Sequence, residues 1–531
     1  MLPTPLTNEP PMNDAPSLPR NVSERSESLQ DGNRRTTRDK GMTDRSQTTT
    51  LDESVQIVDW DGPDDPQNPK NWSMKRKWAA TLIVSCFTLV SPIASAMISP
   101  ATGNVMEDFS VTNSTLGGMI TSVFVLGFAI GPLFLGPLSE IYGRSRVIQW
   151  ANIWFLIWNL VCGFSQNITQ LIVFRFFAGI GGSAPITIGG AVVGDTFHPE
   201  QRGRAIATYS LGPMIGPALG PVVGAWIAEL ADWRWVFWST SLFDVVVQVA
   251  GVLYLQETYA PVLLERKARR LAKSMATDPE KDGKHSPTHF RTVFEGEDRS
   301  WKTIFSKALT RPFMLFAREP IIQLLGAYMS LIYGVFYLFI TTMPGIFRNV
   351  YHESPGIGGL NYIALGSGMI FASFMNSRTM DKIYKYCKNR NGGVGEPEFR
   401  VPTIVPASIA FPVGMLMTGW GAQNHTHWIV VDIGIFLVGM GMILAFQCIQ
   451  TYIVDVFTLY AASGIAAVGF TRSLCGFCFP LFADAMYSKL GYGKGNTIIS
   501  AIAIALGCPA PWILWFYGKR IRGASKYARK S

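Results

Sequence analysis

Polar residues along this chain are crowded into a few separators, and the stretches between them are long and almost wholly apolar. Ala79–Met106, Phe109–Ser139, Val147–Phe174, Ala205–Ala228, Pro320–Phe347, Ser354–Ser377 and Val456–Thr471 contain no Asp, Glu, Lys or Arg. The hydrocarbon core of a bilayer, roughly 30 Å thick, is crossed by about 20 such residues in a helix. Apolar length and flanking charge predict twelve spans: 78–99, 115–137, 147–165, 169–193, 205–228, 235–256, 320–342, 357–376, 402–421, 428–450, 460–483 and 495–518. The widest polar interruption, Glu257 to Glu319, divides them six and six. The expected fold is all-α and polytopic, with two six-helix bundles joined by one long loop. Many secondary transporters share that layout.

This gives a disordered cytoplasmic N-terminal region over 1–77, bundles over 78–256 and 320–518, a cytoplasmic central loop over 257–319 and a tail over 519–531. Lys and Arg in short loops set orientation. They gather at 75–77, 144–146 and 202–204, in the central loop, between Arg378 and Arg400, and in the tail, so both termini are expected in the cytoplasm. The net charge of +9 reads as this bias. No soluble basic face is available for a nucleic acid. The central loop opens with ETYAPVLLERKARRLAK, which is either a basic helix on the inner leaflet or a solvated linker. The seven cysteines show no metal-ligand spacing, and Cys475 and Cys478 fall inside a span. No Gly-x4-Gly-Lys-Ser/Thr loop is present, so an ion gradient is the expected driving force, with no cofactor and no metal.

Charges inside spans are the candidate chemistry, since one at a helix centre costs roughly 2.5–3.5 kcal/mol. Arg175 in the fourth span either snorkels to the outer headgroups or faces a wet cavity. Arg472 in the eleventh is deeper and needs an internal partner or water. Asp244 in the sixth and Asp432 in the tenth are either proton carriers or structural hydrogen-bonding acids. The loop GPLSEIYGRSR places Gly136 and Gly143 where a tight turn is needed. Its Glu140 and Arg144 form either a charge latch suited to a gate or an ordinary basic turn. GPMIGPALGPVVG puts Gly212, Gly216, Gly220 and Gly224 on one face and Pro213, Pro217 and Pro221 beside it. A smooth face on a bent helix predicts close approach of another helix, and a seam between the two halves is the expected place.

Together these residues resemble the major facilitator superfamily, in its twelve-span drug:proton antiporter branch of fungi. GPLSEIYGR resembles the family's signature loop, and RFFAGIGGSAP its arginine motif in span four. Gly203, Gly212, Gly216, Pro217 and Gly220 match the spacing of the antiporter motif in span five. DWDGPDDPQNPKNW, QETYAPVLLERKA, GEPEFRVP and LGYGKGNT also look like family sequence. Departures are Glu140 where Asp is common, Ile141 and Ser145 where basic residues are common, and Gly220-Pro221 where paired glycine is usual. The second-half copy of the loop is reduced to something like Asp381-Lys382.

The resemblance implies the major facilitator fold, with a central cavity lined by spans 1, 4, 7 and 10, and proton-driven export by alternating access. It makes Arg175 a cavity or coupling residue. Gln323, Tyr328, Tyr333 and Phe336 in span seven, with Gln447 and Gln450 in span ten, become candidate substrate contacts. It also sets Asp244 in a peripheral span. The expected protein is a plasma-membrane antiporter, working as a monomer in the bilayer, that exports drugs, toxins or secondary metabolites against protons. A polyamine exporter requires acids in the cavity, where Asp432 is the main one; a non-transporting sensor is the other alternative. An enzyme is not expected, because no His, including His285, His289, His352, His425 and His427, pairs with a nucleophile.

Overall fold

The computed structural model describes residues 55–277, 289–294 and 301–528; the rest of the N-terminal region, with His285, lies outside the described residues. The chain runs from a short strand β1 (Val55–Val58) into α1 (Met74–Ala96), the short α2 (Thr102–Asp108), α3 (Ser114–Tyr142), α4 (Arg144–Cys162), α5 (Ile168–Thr196), α6 (Pro199–Leu230) and α7 (Trp235–Tyr254). The middle contains α8 (Ala260–Thr277), β2 (His289–Thr292) and α9 (Trp301–Arg318). Then come α10 (Pro320–Asn349), α11 (Pro355–Leu360), α12 (Tyr362–Arg390), α13 (Ile404–Gln423), α14 (Trp428–Phe457), α15 (Ala461–Gly507) and α16 (Pro509–Ala524).

Ten segments among the described residues are long and apolar enough to cross a membrane, and one of them is the 64-residue run Ala461–Ala524. That run holds two passes. At 1.5 Å per residue, the 47 residues of α15 would reach about 70 Å if straight, far beyond a bilayer core. Gly491 breaks it with φ 78°, a conformation that favours glycine. The Tyr487 hydroxyl donates to Asn496 Oδ1 at 2.6 Å, a contact nine residues apart that only a reversal permits. The other addition is α4, whose Arg144, Arg146, Gln149, Asn152 and Asn159 lower its apolarity while it packs on α5 and α7. The helices are thus consistent with twelve passes. Many run past the expected ends, since a helix continues beyond the hydrocarbon into the headgroups.

Within the first set of helices, α1 packs on α6, α3 on α5, and α4 on α5 and α7; in the second, α10 packs on α15, α13 on α14 and α15, and α12 on α14. Two seams join the sets: α3 against α15, and α6 against α11 and α12. We call the side holding the start of α1 and the end of α16 the termini face, and the other the opposite face.

The glycine stripe of α6 lies elsewhere than expected. A Cβ on Gly212 would sit 2.9 Å from Ser85 O, on Gly216 2.8 Å from Pro92 Cβ, and on Gly220 2.6 Å from Ile93 O, while Gly224 presses on Met97 O. All four face α1, inside the same bundle. The seam uses another face of α6, where Ala218 meets Gly366 and Ala225 meets Gly359. Periodicity reveals a smooth face but not the helix that covers it.

The expectation of a disordered segment up to residue 77 also changes. β1 pairs in parallel with β2, from Val55 with His289 to Val58 with Thr292. Asp65 accepts from the backbone N–H of Asp61 at 3.0 Å and of Gln67 at 2.8 Å, and Lys267 of α8 reaches Asp59 O, Asp61 and Asp65. Burial pushes the Asp65 carboxyl upward, but these N–H donors and Lys267 outweigh it and hold it below its ordinary value. A depressed carboxylate stabilises the folded state above its unfolded pKa of about 3.9 and loses that only as pH falls through the folded value. The strap is therefore intact at neutral pH. Asp65→Ala removes charge-assisted bonds worth about 1.5–3 kcal/mol each. It is expected to speed amide exchange across 59–72 at least tenfold while leaving the spans unchanged, as read by hydrogen–deuterium exchange. α8 turns Val262, Leu264 and Ala268 into the protein, with Arg269 and Arg270 exposed.

Candidate functional site

Each bundle sends one arginine toward the centre. Arg175 on α5 is fully buried and donates to the carbonyls that α1 presents, Ala94 O at 3.4 Å and Ser95 O at 3.0 Å. Both belong to the last turn of α1, which ends at Ala96, where the carbonyls have no partner further along the helix. The guanidinium also lies 5.1 Å from the Phe124 ring and 5.6 Å from Phe237, and its Nε has no partner. Arg175 is thus packed behind α1 and lines neither of the two cavities described below, where its motif pointed to the central cavity.

Arg472 on α15 lies over the rings of Tyr333 at 4.8 Å and Phe446 at 5.0 Å. It has no ion-pair partner among the described residues, and its Nε is buried without a hydrogen bond. With Met329, Ile449, Gln450, Ile453, Ile465, Val468 and Gly469 it lines a cavity of about 10 Å³. That is the size of a single water, and Arg472, Gln450, Ile465 and Gly469 around it are half-buried. Between the two arginines runs one polar thread. Ser95 Oγ and Tyr337 OH share a hydrogen bond of 3.2 Å across the bundles, and Tyr337 packs on Tyr333 at 5.2 Å.

The remaining candidates scatter. Phe336 is buried beside Tyr337, and Gln450 joins the Arg472 cavity. Tyr328 packs against Gly507, and Gln323 is exposed and donates to Ala317 O. Gln447 donates to Ser373 Oγ at 2.9 Å and accepts from Asn376 at 2.7 Å, which ties α14 to α12. Asp244 is buried between α4 and α7, both of its oxygens accepting from Asn152 Nδ2 at 3.0 Å. Asp432 lies at the opposite-face end of α14, in the electrostatic reach of Glu353, with Oδ1 unpartnered. Neither acid reaches the centre.

Ion pairs cluster at the termini face. Gly143 turns the chain with φ 101°, and a Cβ there would collide with the Glu257 carboxylate. That carboxylate accepts from the backbone N–H of Arg144 at 2.8 Å, and from those of Thr258 and Tyr259 at 3.1 Å. The Arg144 side chain donates to Ser139 Oγ at 2.5 Å, pairs with Asp195 at 3.6 Å and covers the Tyr259 ring at 4.5 Å. The acid of this latch is Asp195 at the end of α5, with Glu257 behind it, where sequence pointed to Glu140; Glu140 itself is exposed. Gly136 has nothing within 4 Å of a Cβ position.

The second half carries a counterpart that the Asp381-Lys382 remnant did not reveal. Arg400 pairs with Asp455 at the end of α14 and with Asp381 at 4.0 Å, and lies over Tyr384 at 5.0 Å. Behind it, buried Glu398 and Arg522 pair at 3.2 Å. The repeat offered a signal. One Asp closes the fourth span and one the tenth, each facing an arginine from the loop between the second and third helices of its own bundle.

At the opposite face the bundles are tied by hydrogen bonds. Ser99 Oγ and Tyr362 OH both donate to Ile340 O at 2.5 Å, and Glu229 accepts from Gly356 N–H at 2.5 Å and Ser354 Oγ at 3.2 Å. Above this floor sits a cavity of about 370 Å³, lined from both sets of helices by residues including Thr102, Gly103, Arg348, Asn349 and Glu353.

The family profile described as Major Facilitator Superfamily matches residues 84–480. An efflux pump of Penicillium aethiopicum, vrtL, is 44% identical over 90% of this chain and 92% of its own. The MFS-type transporter penM of Penicillium rubens is 42% identical over 89% of this chain and 90% of its own. In three dimensions the chain resembles the Escherichia coli xylose transporter XylE in a partially occluded inward open conformation. The TM-score is 0.60 at 15% identity, covering 83% of this chain and 97% of that one.

Proposed function

Because the chain belongs to the major facilitator superfamily, and is a multi-pass small-molecule transporter rather than an enzyme, we propose that it exports small organic molecules, such as toxins or secondary metabolites, in exchange for protons. The observation that carries this reading is the layout of the centre. A half-buried, aromatic-walled Arg472 lies between hydrogen-bonded ties that join the bundles at one face and, at the other, two arginine–carboxylate latches that each brace the end of their own bundle. Ties between the bundles at one face, with each bundle braced within itself at the other, let the bundles part as rigid bodies, as alternating access requires. Relatives described as efflux pumps support the outward direction.

Rings and an unpaired guanidinium favour neutral or anionic ligands, because a cation entering would meet charge of its own sign. This argues against the polyamine alternative. A proton exchanged for substrate acts most simply at the latches, where protonating Asp195 or Asp455 removes the charge that holds an arginine. On this reading the protein is in the plasma membrane, works as a monomer, and has both termini in the cytoplasm.

The test is yeast stripped of its own efflux pumps, carrying this protein and loaded with labelled drugs, polyamines and fungal metabolites. Retention is expected to fall on expression and to recover with a protonophore. Arg472→Ala is expected to lower the efflux of whichever compound moves at least tenfold. A desolvated cation–π contact is worth about 2 kcal/mol, and about 1.4 kcal/mol is tenfold. Export of polyamines alone, or efflux indifferent to the protonophore, would overturn the reading.

A further inference from the structure

The cavity of about 370 Å³ at the opposite face is not part of the central site. The donors Ser99 and Tyr362, both on Ile340 O, and the pair Ser95–Tyr337 lie between it and Arg472. Its volume falls in the range of about 300–1,000 Å³ that holds a drug-sized molecule. It is a chamber in its own right.

The chemistry of its wall can be worked out donor by donor. The hydroxyl protons of Ser99, Thr102, Thr341, Ser354 and Tyr362 all go to protein acceptors. The nearby carboxylates are each bound through one oxygen: Glu353 Oε2 accepts from Asn361 at 2.8 Å, and Glu229 Oε2 from Gly356 N–H and Ser354. Two exposed side chains at its rim, Arg348 and its neighbour Asn349, have no hydrogen bond or ion pair among the described residues and so keep their donors free for a ligand. Arg348 closes α10, where the helix dipole favours a cation. Its guanidinium nevertheless extends across to the other bundle: a Cβ on Gly103 of α2 would lie 3.4 Å from Arg348 Nη1. A planar five-donor group stretched over a chamber whose other donors are spent matches a carboxylate, which it grips through two parallel hydrogen bonds. Pro100, Pro344 and the Tyr362 ring supply apolar wall for the rest of such a molecule.

We propose that this chamber is a second ligand site, separate from the one around Arg472, and that it takes mid-sized organic carboxylates on Arg348 and Asn349. It is independent of the export reading, since it concerns binding in the conformation described and needs no transport.

Fluorescence anisotropy of fluorescein with the purified full-length protein tests it, with fluorescein methyl ester as the probe lacking the carboxylate. Fluorescein is expected to bind more tightly than its ester. Arg348→Gln is expected to weaken fluorescein at least tenfold and the ester little, and Arg348→Lys to restore part of the loss. Gly103→Leu fills the chamber beside the Arg348 guanidinium while leaving every charged residue in place, and is expected to weaken both probes, which guards against an Arg348 variant that misfolds. Arg472→Gln is expected to leave fluorescein binding within twofold. No measurable binding, equal affinity of acid and ester, affinity unchanged by Arg348→Gln, or loss on Arg472→Gln comparable to that on Arg348→Gln each overturns the proposal.

Discussion

Replacing Gly220 with leucine is expected to abolish folded protein, while the same change at Gly203 is expected to be harmless. Both belong to the antiporter motif of the fifth span, yet their surroundings differ. A Cβ on Gly220 would lie 2.6 Å from the Ile93 carbonyl oxygen, and no real Cβ sits so close to backbone. Because the obstacle is α1 itself, relief requires the two helices to separate along Gly212, Gly216 and Gly224, where a Cβ would also come closer than 3 Å. Overpacking of a well-filled interior costs about 1–3 kcal/mol for extra methylenes. Backbone collision along a whole stripe is expected at or above that range, a large share of a stability of about 5–15 kcal/mol. Gly203 has nothing within 4 Å, so leucine there only gains helix propensity, about 1 kcal/mol over glycine. Monodisperse yield from detergent extracts and the thermal midpoint measure both. Comparable losses at the two positions would contradict the packing account.

Cutting the latches is expected to stop transport while leaving the protein folded. Arg144→Ala removes the contacts with Ser139, Asp195 and Tyr259, and Arg400→Ala those with Asp455, Asp381 and Tyr384. Arg144 is 12% exposed and Arg400 20%, so solvent screens each pair in part. A discounted figure of about 1–3 kcal/mol per latch, below the value for a fully buried pair, is appropriate. At about 1.4 kcal/mol per tenfold, that moves the balance between conformations by roughly 5- to 150-fold. Efflux is expected to fall at least about fivefold in either variant at normal surface level. A cysteine placed at exposed Glu140 is expected to react faster with a thiol reagent as the termini face opens. Efflux within twofold of the parent, with unchanged thiol reactivity, would mean that the latches are only structural.

What sequence could and could not reveal follows from the range of each signal. Spans were legible because apolar runs and their flanking charges are local signals, and even the reversal at Gly491 falls between two runs placed from them. The glycine stripe was legible as a smooth face, but its neighbour α1 lies more than a hundred residues upstream, and no pattern within α6 names it. Arg144 was visible and its partner was not, since Asp195 and Glu257 come to it through the packing of α4 on α5 and α7. Burial was the hardest to foresee. Arg175 reads as a cavity cation until α1 covers it with Ala94 and Ser95 carbonyls, and Asp244 reads as a proton carrier until Asn152 takes both of its oxygens. The strap at 55–72 looked disordered because it has no apolar run; it is held by Asp65, Lys267 and a two-stranded pairing with the central loop.

The most direct test of the central claim is uptake into inside-out vesicles from pump-deficient yeast carrying this protein, using a compound identified in the retention panel and an imposed pH gradient. With an acidic lumen and no ATP, the account predicts accumulation that disappears when nigericin collapses the gradient and is absent with Arg144→Ala. Accumulation that persists without the gradient, or that appears only when ATP is added to vesicles already collapsed, would contradict it.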